Sequence, residues 1–197
     1  MKNNFFIIIL LLIVLYSCEQ TYVPKPHCYY RIDLPEKKYR LFDSICPYSF
    51  EYPVYGVIEP DDHKNTEPCW ININFKRYKG VIFLTYKEID DNFDQFIEVN
   101  WNMIYKKIAQ RADAVTTHEY AFSEMNVYGV IYAISGNAAS STQFWVTDSV
   151  KNFLRGALYF DSRPNYDSLA PLINFFRQDV IHLMETVNWK NSKPKLK

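Results

Sequence analysis

The chain has 197 residues, with 22 Lys plus Arg against 22 Asp plus Glu, so no net charge points to a nucleic-acid partner. Apolar residues make up 48% and aromatic residues 17%, with sixteen Tyr and fourteen Phe but only five Gly, so disorder is excluded and strands are favoured. The length suits one domain with a real core, and no internal repeat or long Gly/Ser linker divides it.

Met1–Asn4 carries one basic residue, and Phe5–Tyr16 is then almost wholly apolar. This run is shorter than the ~20 residues of a membrane-spanning helix and fits the apolar region of a signal peptide. Leu15-Tyr16-Ser17-Cys18 follows at once and resembles a bacterial lipobox, although Tyr16 is bulky for one. The reading is a lipoprotein signal peptide over residues 1–17, a lipid on Cys18 and a lipidated tether over residues 18–28; the alternative is a plain signal peptide or uncleaved anchor with an incidental cysteine. Several acyl chains hold a protein on a membrane stably. The mature chain is therefore expected to be membrane-anchored and facing the periplasm or the surface. Three further cysteines remain, Cys28, Cys46 and Cys69, in a compartment that permits disulfides. Cys46 precedes one strand and Cys69 begins another, so these two are paired here, against an alternative in which all three stay reduced. No Cys-x-x-Cys and no His at ligand spacing is present, so no metal is expected.

Residues 29–189 read as a single α+β domain. Tyr29–Pro35 is extended, and Tyr48–Tyr52 alternates as an edge strand closed by Pro53. Pro60–Pro68 is a polar loop. Ile71, Ile73 and Phe75 face one way and Asn72 and Asn74 the other; with Val81–Leu84, apolar on both faces, they make a hairpin. Asp91–Gln110 changes period: Phe93, Phe96, Ile97, Trp101, Ile104, Tyr105 and Ile108 form the stripe of an amphipathic helix capped by Asp90 or Asp91. Thr116–Phe122 alternates, and Val127–Ser135 is apolar on both faces and so central. Gln143–Thr147 and Phe153–Phe160 form a hairpin with Asp148 and Ser149 in its turn. Asp167-Ser168 caps a second helix whose first turn tolerates Pro171, with a stripe running from Leu169 to Val187. Residues 190–197 read as a basic flexible tail. The sum is a largely antiparallel sheet of about seven strands covered by two helices. The element order is similar to the Mog1/PsbP type of sandwich, an analogy that carries no function.

The ordered set of local blocks carries more. Tyr30–Pro35, Cys46–Pro53, Trp70–Ile73, Ala112-Asp113-Ala114, Gly136–Ser141, Thr147-Asp148-Ser149, Phe153–Phe160 and Pro164–Pro171 together resemble the GldD-type gliding-motility lipoproteins of Bacteroidetes, and the lipobox at Cys18 fits. The resemblance implies a cell-envelope lipoprotein needed for gliding and linked to type IX secretion, with other envelope proteins of that machinery as partners. It implies no enzymatic activity and no cofactor.

The residues themselves were weighed for chemistry. Ser140 or Ser141 could serve as a nucleophile, yet Gly136-Asn137-Ala138-Ala139-Ser140 is not a nucleophile elbow, and neither His118 nor His182 is brought to it by spacing. One Gly without Gly-Lys-Ser/Thr makes no phosphate cradle. Asp61-Asp62-His63 reads as a solvated turn. A periplasmic ligand-binding module and a cryptic envelope hydrolase stay open as alternatives. Gly136, Asn137, Ser140 and Ser141 are small and unexplained by core packing; with Arg155, a charge amid apolar neighbours, they are the candidate interaction loop. Arg155 must be paired or reach water, and a structural salt bridge to Asp148 or Asp161 is the plain expectation. Finally, Asp43-Ser44-Ile45 resembles the O-glycosylation sequon of Bacteroidetes periplasmic proteins, with Ser44 the candidate acceptor.

Overall fold

The computed structural model describes residues 32–163 and 165–190. Cys18, Cys28, the signal peptide and residues 191–197 lie outside them. Strands β1 (Tyr39–Phe42), β2 (Tyr48–Pro53) and β10 (Asn188–Trp189) form one small antiparallel sheet with β2 in the middle. Strands β3 (Val57–Pro60), β4 (Ile71–Phe75), β5 (Gly80–Glu88), β6 (Ala114–Phe122), β7 (Val127–Ser135), β8 (Ser140–Thr147) and β9 (Asn152–Phe160) form a seven-stranded antiparallel sheet in the order β3-β4-β5-β9-β8-β7-β6. Helix α1 (Phe93–Trp101) carries the chain from β5 to the far edge, and β6 to β9 then meander back to pair with β5. Helix α2 (Tyr166–Thr186) follows β9.

The sheet has the expected strand number but a different membership. Tyr48–Tyr52 is not an edge of the large sheet; it is the buried middle of the small one, where an aromatic at every second position packs rather than faces water. The seventh strand of the large sheet is instead Val57–Pro60, four residues that show no clear alternation and end in a proline suited to an edge. Both helix starts also differ. Asn92 precedes α1, and its Oδ1 accepts from the Asp90 N–H at 3.0 Å rather than from the helix. Asn165 caps α2, accepting from the Ser168 N–H, so Pro171 sits deeper than the first turn. Lys190 is no part of a loose tail: its N–H donates to Pro47 O at 2.9 Å, and Nζ lies 2.5 Å from Asp43.

The helices lie on opposite faces. On one, Phe176 of α2 is fully buried against Phe75, with ring centroids 4.4 Å apart, and Ile73, Ile82, Leu84, Phe144, Leu154 and Leu158 complete the main core. On the other, α1 continues as a π-helical stretch (Asn102–Ile108) and a last 3-10 turn (Ala109–Arg111). Ile104 and Ile108 pack on Val130, Tyr132, Ile134 and Val115. The expected stripe holds at Phe93, Phe96, Ile104 and Ile108 and fails at Trp101. Asn100 is buried in its place, its Nδ2 satisfied by Phe96 O at 2.8 Å, whereas Trp101 is half exposed with its ring tilted against Tyr105.

Candidate functional site

The Gly136–Ser141 stretch is a packing device more than an open loop. Gly136 has φ +91°, and a Cβ there would meet the Asp113 backbone nitrogen at 2.5 Å, so only glycine fits. Ser140 Oγ donates toward Leu158 O at 3.0 Å inside a register shift between β8 and β9. Asn137 Oδ1 accepts from the Tyr166 N–H at 3.2 Å and ties the stretch to the start of α2. Ser141 Oγ is buried without a hydrogen-bond partner and lines a cavity of about 20 Å³ with Ala138, Tyr166 and Leu169, room for one water molecule. Only Asn137 and Ala139 of this stretch are exposed. Arg155 is not part of the same surface: the stretch packs toward α2, while Arg155 bonds to Met103 beyond α1.

The catalytic alternatives find no constellation among the described residues. His182 Nε2 lies 2.7 Å from Glu51 Oε2 and its ring stacks on Tyr39 at 3.6 Å; His118 is exposed on β6. Asp148 is committed to its own turn, where Oδ1 accepts the N–H groups of Val150, Lys151 and Asn152. Asp61 closes its loop: Oδ1 meets His63 Nδ1 at 2.5 Å and accepts from Asn72, and Oδ2 accepts from Thr66. Cys46 and Cys69 form a disulfide, with Cα atoms 5.6 Å apart. It borders an open cleft of about 370 Å³, but the cations there, Lys151 and Lys190, are already paired with Glu88 and Asp43. Ser44 is half-buried nearby and its Oγ accepts from the Cys46 N–H.

The distinctive surface is on the α1 face of the large sheet. Phe93 and Phe96 pack on Trp145 and Phe153, and Tyr105 on Tyr132, so the helix lies over β6 to β9. On β3, β4 and β5 the same face is left half-exposed. Val81 and Phe83 alternate with fully buried Ile82 and Leu84, yet remain half-exposed themselves. Strand register places Asn72 and Ala157 beside Phe83, and Asn74 and Tyr159 beside Val81. Edge-on ring contacts run from His63 to Phe83 (6.2 Å) and from Phe83 to Tyr159 (5.6 Å). Asn74 is held by Glu59 at 2.6 Å, and Glu59 in turn meets Lys76.

Arg155 stands where this open half meets the helix. Its backbone pairs with Thr85 and Trp145. Nη2 donates to Gln143 Oε1 at 2.7 Å and to Met103 Sδ at 2.8 Å. Nε is sealed without a partner, as is Gln143 Nε2. The expected ion pair with Asp148 or Asp161 is not formed, and among the described residues no carboxylate lies within 4.0 Å of the guanidinium. Burial pulls its pKa downward, with the nearby Tyr159 opposing.

Comparison with known proteins places these features in a family. The profile described as gliding motility lipoprotein GldD matches residues 19–189. The chain belongs to the GldD family. It is thus a gliding-motility lipoprotein of the cell envelope, anchored at a membrane. No curated protein sequence matches it. Among solved structures it is similar to the solution structure of cyanobacterial PsbP (CyanoP) from Synechocystis sp. PCC 6803, at 10% identity and a TM-score of 0.46, over 81% of this chain and 97% of that one. Among the described residues of this GldD-family chain, no helix is long and apolar enough to cross a membrane.

One polar centre of the GldD-family domain escapes sequence reasoning. Asp179 of α2 is 1% exposed. Its Oδ1 takes the Lys37 ammonium at 2.6 Å and the Tyr39 hydroxyl at 3.0 Å, and Oδ2 takes the Tyr55 hydroxyl at 2.6 Å. Burial drives both tyrosines well above their ordinary range, and Asp179 adds to it. Lys37 also lies over the Phe175 ring at 3.4 Å. The available signal was phase: Asp179 sits three residues after Phe176 and four before Leu183, inside the apolar stripe.

Proposed function

We propose that this GldD-family lipoprotein is a non-catalytic interaction component of the gliding apparatus, linked to type IX secretion. In this reading it is lipidated on Cys18 and faces the periplasm. It works by protein contact with other envelope proteins of that machinery. The observation that supports the reading is the half-covered sheet. A soluble fold normally covers apolar strand positions, and an apolar surface left open on a monomer is characteristic of an interaction site. Val81 and Phe83 are half-buried positions of this kind, and Val57 at the neighbouring edge is exposed. Ser140, one of the two candidate nucleophiles, is used in packing instead, since it donates to a strand carbonyl.

The test is complementation of a strain lacking the gene. Ser141→Ala is expected to restore gliding, and Phe83→Asp to leave cells non-motile with the lipoprotein at normal abundance in the membrane fraction. Loss of gliding with abundant Ser141→Ala protein, together with full gliding by Phe83→Asp, would replace this reading with a catalytic one.

A further inference from the structure

We infer that the open half of the sheet receives a segment of a partner protein that carries a carboxylate beside an apolar side chain, with Arg155 holding the carboxylate and Phe83 and Tyr159 the apolar group. The inference rests on the interaction reading above and adds its chemistry.

Arg155 is a charge without a counter-ion among the described residues. An arginine stays protonated in a protein, and a desolvated guanidinium without a counter-ion is costly. Arg155 is half-buried with its Nε sealed, yet among the described residues its side-chain polar contacts are a neutral amide oxygen and a thioether. Other charges on this half of the face are answered within the chain: Glu59 by Lys76, Lys87 by Glu67, and Asp61 by His63, Thr66 and Asn72. Arg155 therefore carries the positive charge that this surface leaves unanswered. Its remaining nitrogen, Nη1, has no partner among the described residues and is not sealed from solvent, in contrast to Nε.

Geometry supplies the second half of the proposal. Phe83 stands opposite Ala157, two residues along β9 from Arg155, and Tyr159 two residues further on the same face. At ~3.3 Å per residue the aromatic pair starts about 7 Å from the arginine, which suits neighbouring side chains of one bound segment. Thr85, opposite Arg155, adds no competing charge. A phosphate group would call for several cations converging on it. Here the nearest other cation on the open half, Lys87, is engaged with Glu67. A single planar guanidinium beside an aromatic floor matches one carboxylate instead.

The test uses the full-length lipoprotein in detergent micelles and fluorescent ten-residue peptides built from Val and Thr around a central Phe-Thr-Glu. Counterparts carry Gln or phosphoserine in place of Glu. The Glu peptide is expected to bind about tenfold more tightly than the Gln peptide, the value of one charge-assisted contact. Arg155→Gln abolishes that preference, and Phe83→Ala weakens both peptides alike. Arg155→Met is expected to melt within a few degrees of the native chain, because relief of an unpaired, half-buried charge offsets the lost bond to Gln143. Equal binding of the Glu and Gln peptides, no binding of either, preference for phosphoserine, or a collapse of stability in Arg155→Met would each overturn the inference. So would concentration-dependent dimerisation lost in Phe83→Ala, which would make the occupant a second copy. If Phe83→Asp still abolishes gliding while the peptides show no preference for Glu, the chemistry inferred here falls and the interaction reading stands.

Discussion

Asp148 shows how a single carboxylate organises the β8–β9 turn. It is buried, and three successive backbone N–H groups converge on its Oδ1 at 2.8 to 3.0 Å while the Asn152 amide reaches Oδ2 at 2.7 Å. Burial pushes its pKa up, but these donors together outweigh burial and hold it below the ordinary 3.8. A depressed folded-state pKa contributes stability above the unfolded value and loses it as pH falls through the folded one. Stability from this turn is therefore full at neutral pH and declines below about pH 4. Asp148→Asn is expected to cost about 1–3 kcal/mol at pH 7. It should also make urea unfolding less sensitive to acid between pH 4 and pH 2; an unchanged acid limb would assign that sensitivity to other carboxylates. This turn was legible in the sequence because Asp-Ser turn chemistry is local. Asp179 was not, because Lys37, Tyr39 and Tyr55 approach it from 124 to 142 residues away. Arg155 was half legible: its need for a partner follows from composition, but its failure to find a carboxylate does not.

At the level of elements, the Cys46–Cys69 bond joins the approach to β2 in the small sheet to the approach to β4 in the large one. Twenty-three residues separate the two cysteines. Closing a loop of that length removes about 3 kcal/mol of unfolded-chain entropy in the simple loop model. The Cys46→Ser/Cys69→Ser double variant is expected to unfold in urea with a midpoint lowered accordingly, and dithiothreitol should reproduce the shift in the native chain alone. A reductant effect of equal size in the double variant would point elsewhere. Helix α1 marks where element-level reading fails. Its existence and most of its buried stripe followed from apolar spacing, but the place of Trp101 did not, because Asn100 can be buried once its amide finds a backbone oxygen one turn earlier. Apolarity alone assigned that place to Trp101. The two-sided apolar character of Val81–Leu84 correctly indicated a strand, although α1 lies over β6 to β9 rather than over it.

The whole molecule is a lipoprotein of the envelope whose order of strands and helices can be read from its sequence, while their grouping into sheets cannot. Tyr48–Tyr52 and Val57–Pro60 lie close in the chain but belong to different sheets, a fact decided by hydrogen-bond partners far away in sequence. The attachment proposed at Cys18 is testable at this scale. Cys18→Ala is expected to move the protein from the membrane to the soluble fraction, with the domain folded and the Cys46–Cys69 bond intact. Retention in the membrane fraction would assign anchoring to the apolar N-terminal segment itself.

The Lys37–Asp179 contact acquires a mechanical meaning once the chain is anchored at its N-terminal side. Tension entering along the backbone reaches Lys37 and Tyr39 before any strand of the seven-stranded sheet. Both side chains grip the same carboxylate on α2, in the middle of the longest helix of the described residues. With the anchor proposed at Cys18, the Lys37 contact would stand in series with it and precede β1 in the load path. A pull on the anchored end is thus shared with the helix at the main core, and β1 and β2 are spared from unzipping first.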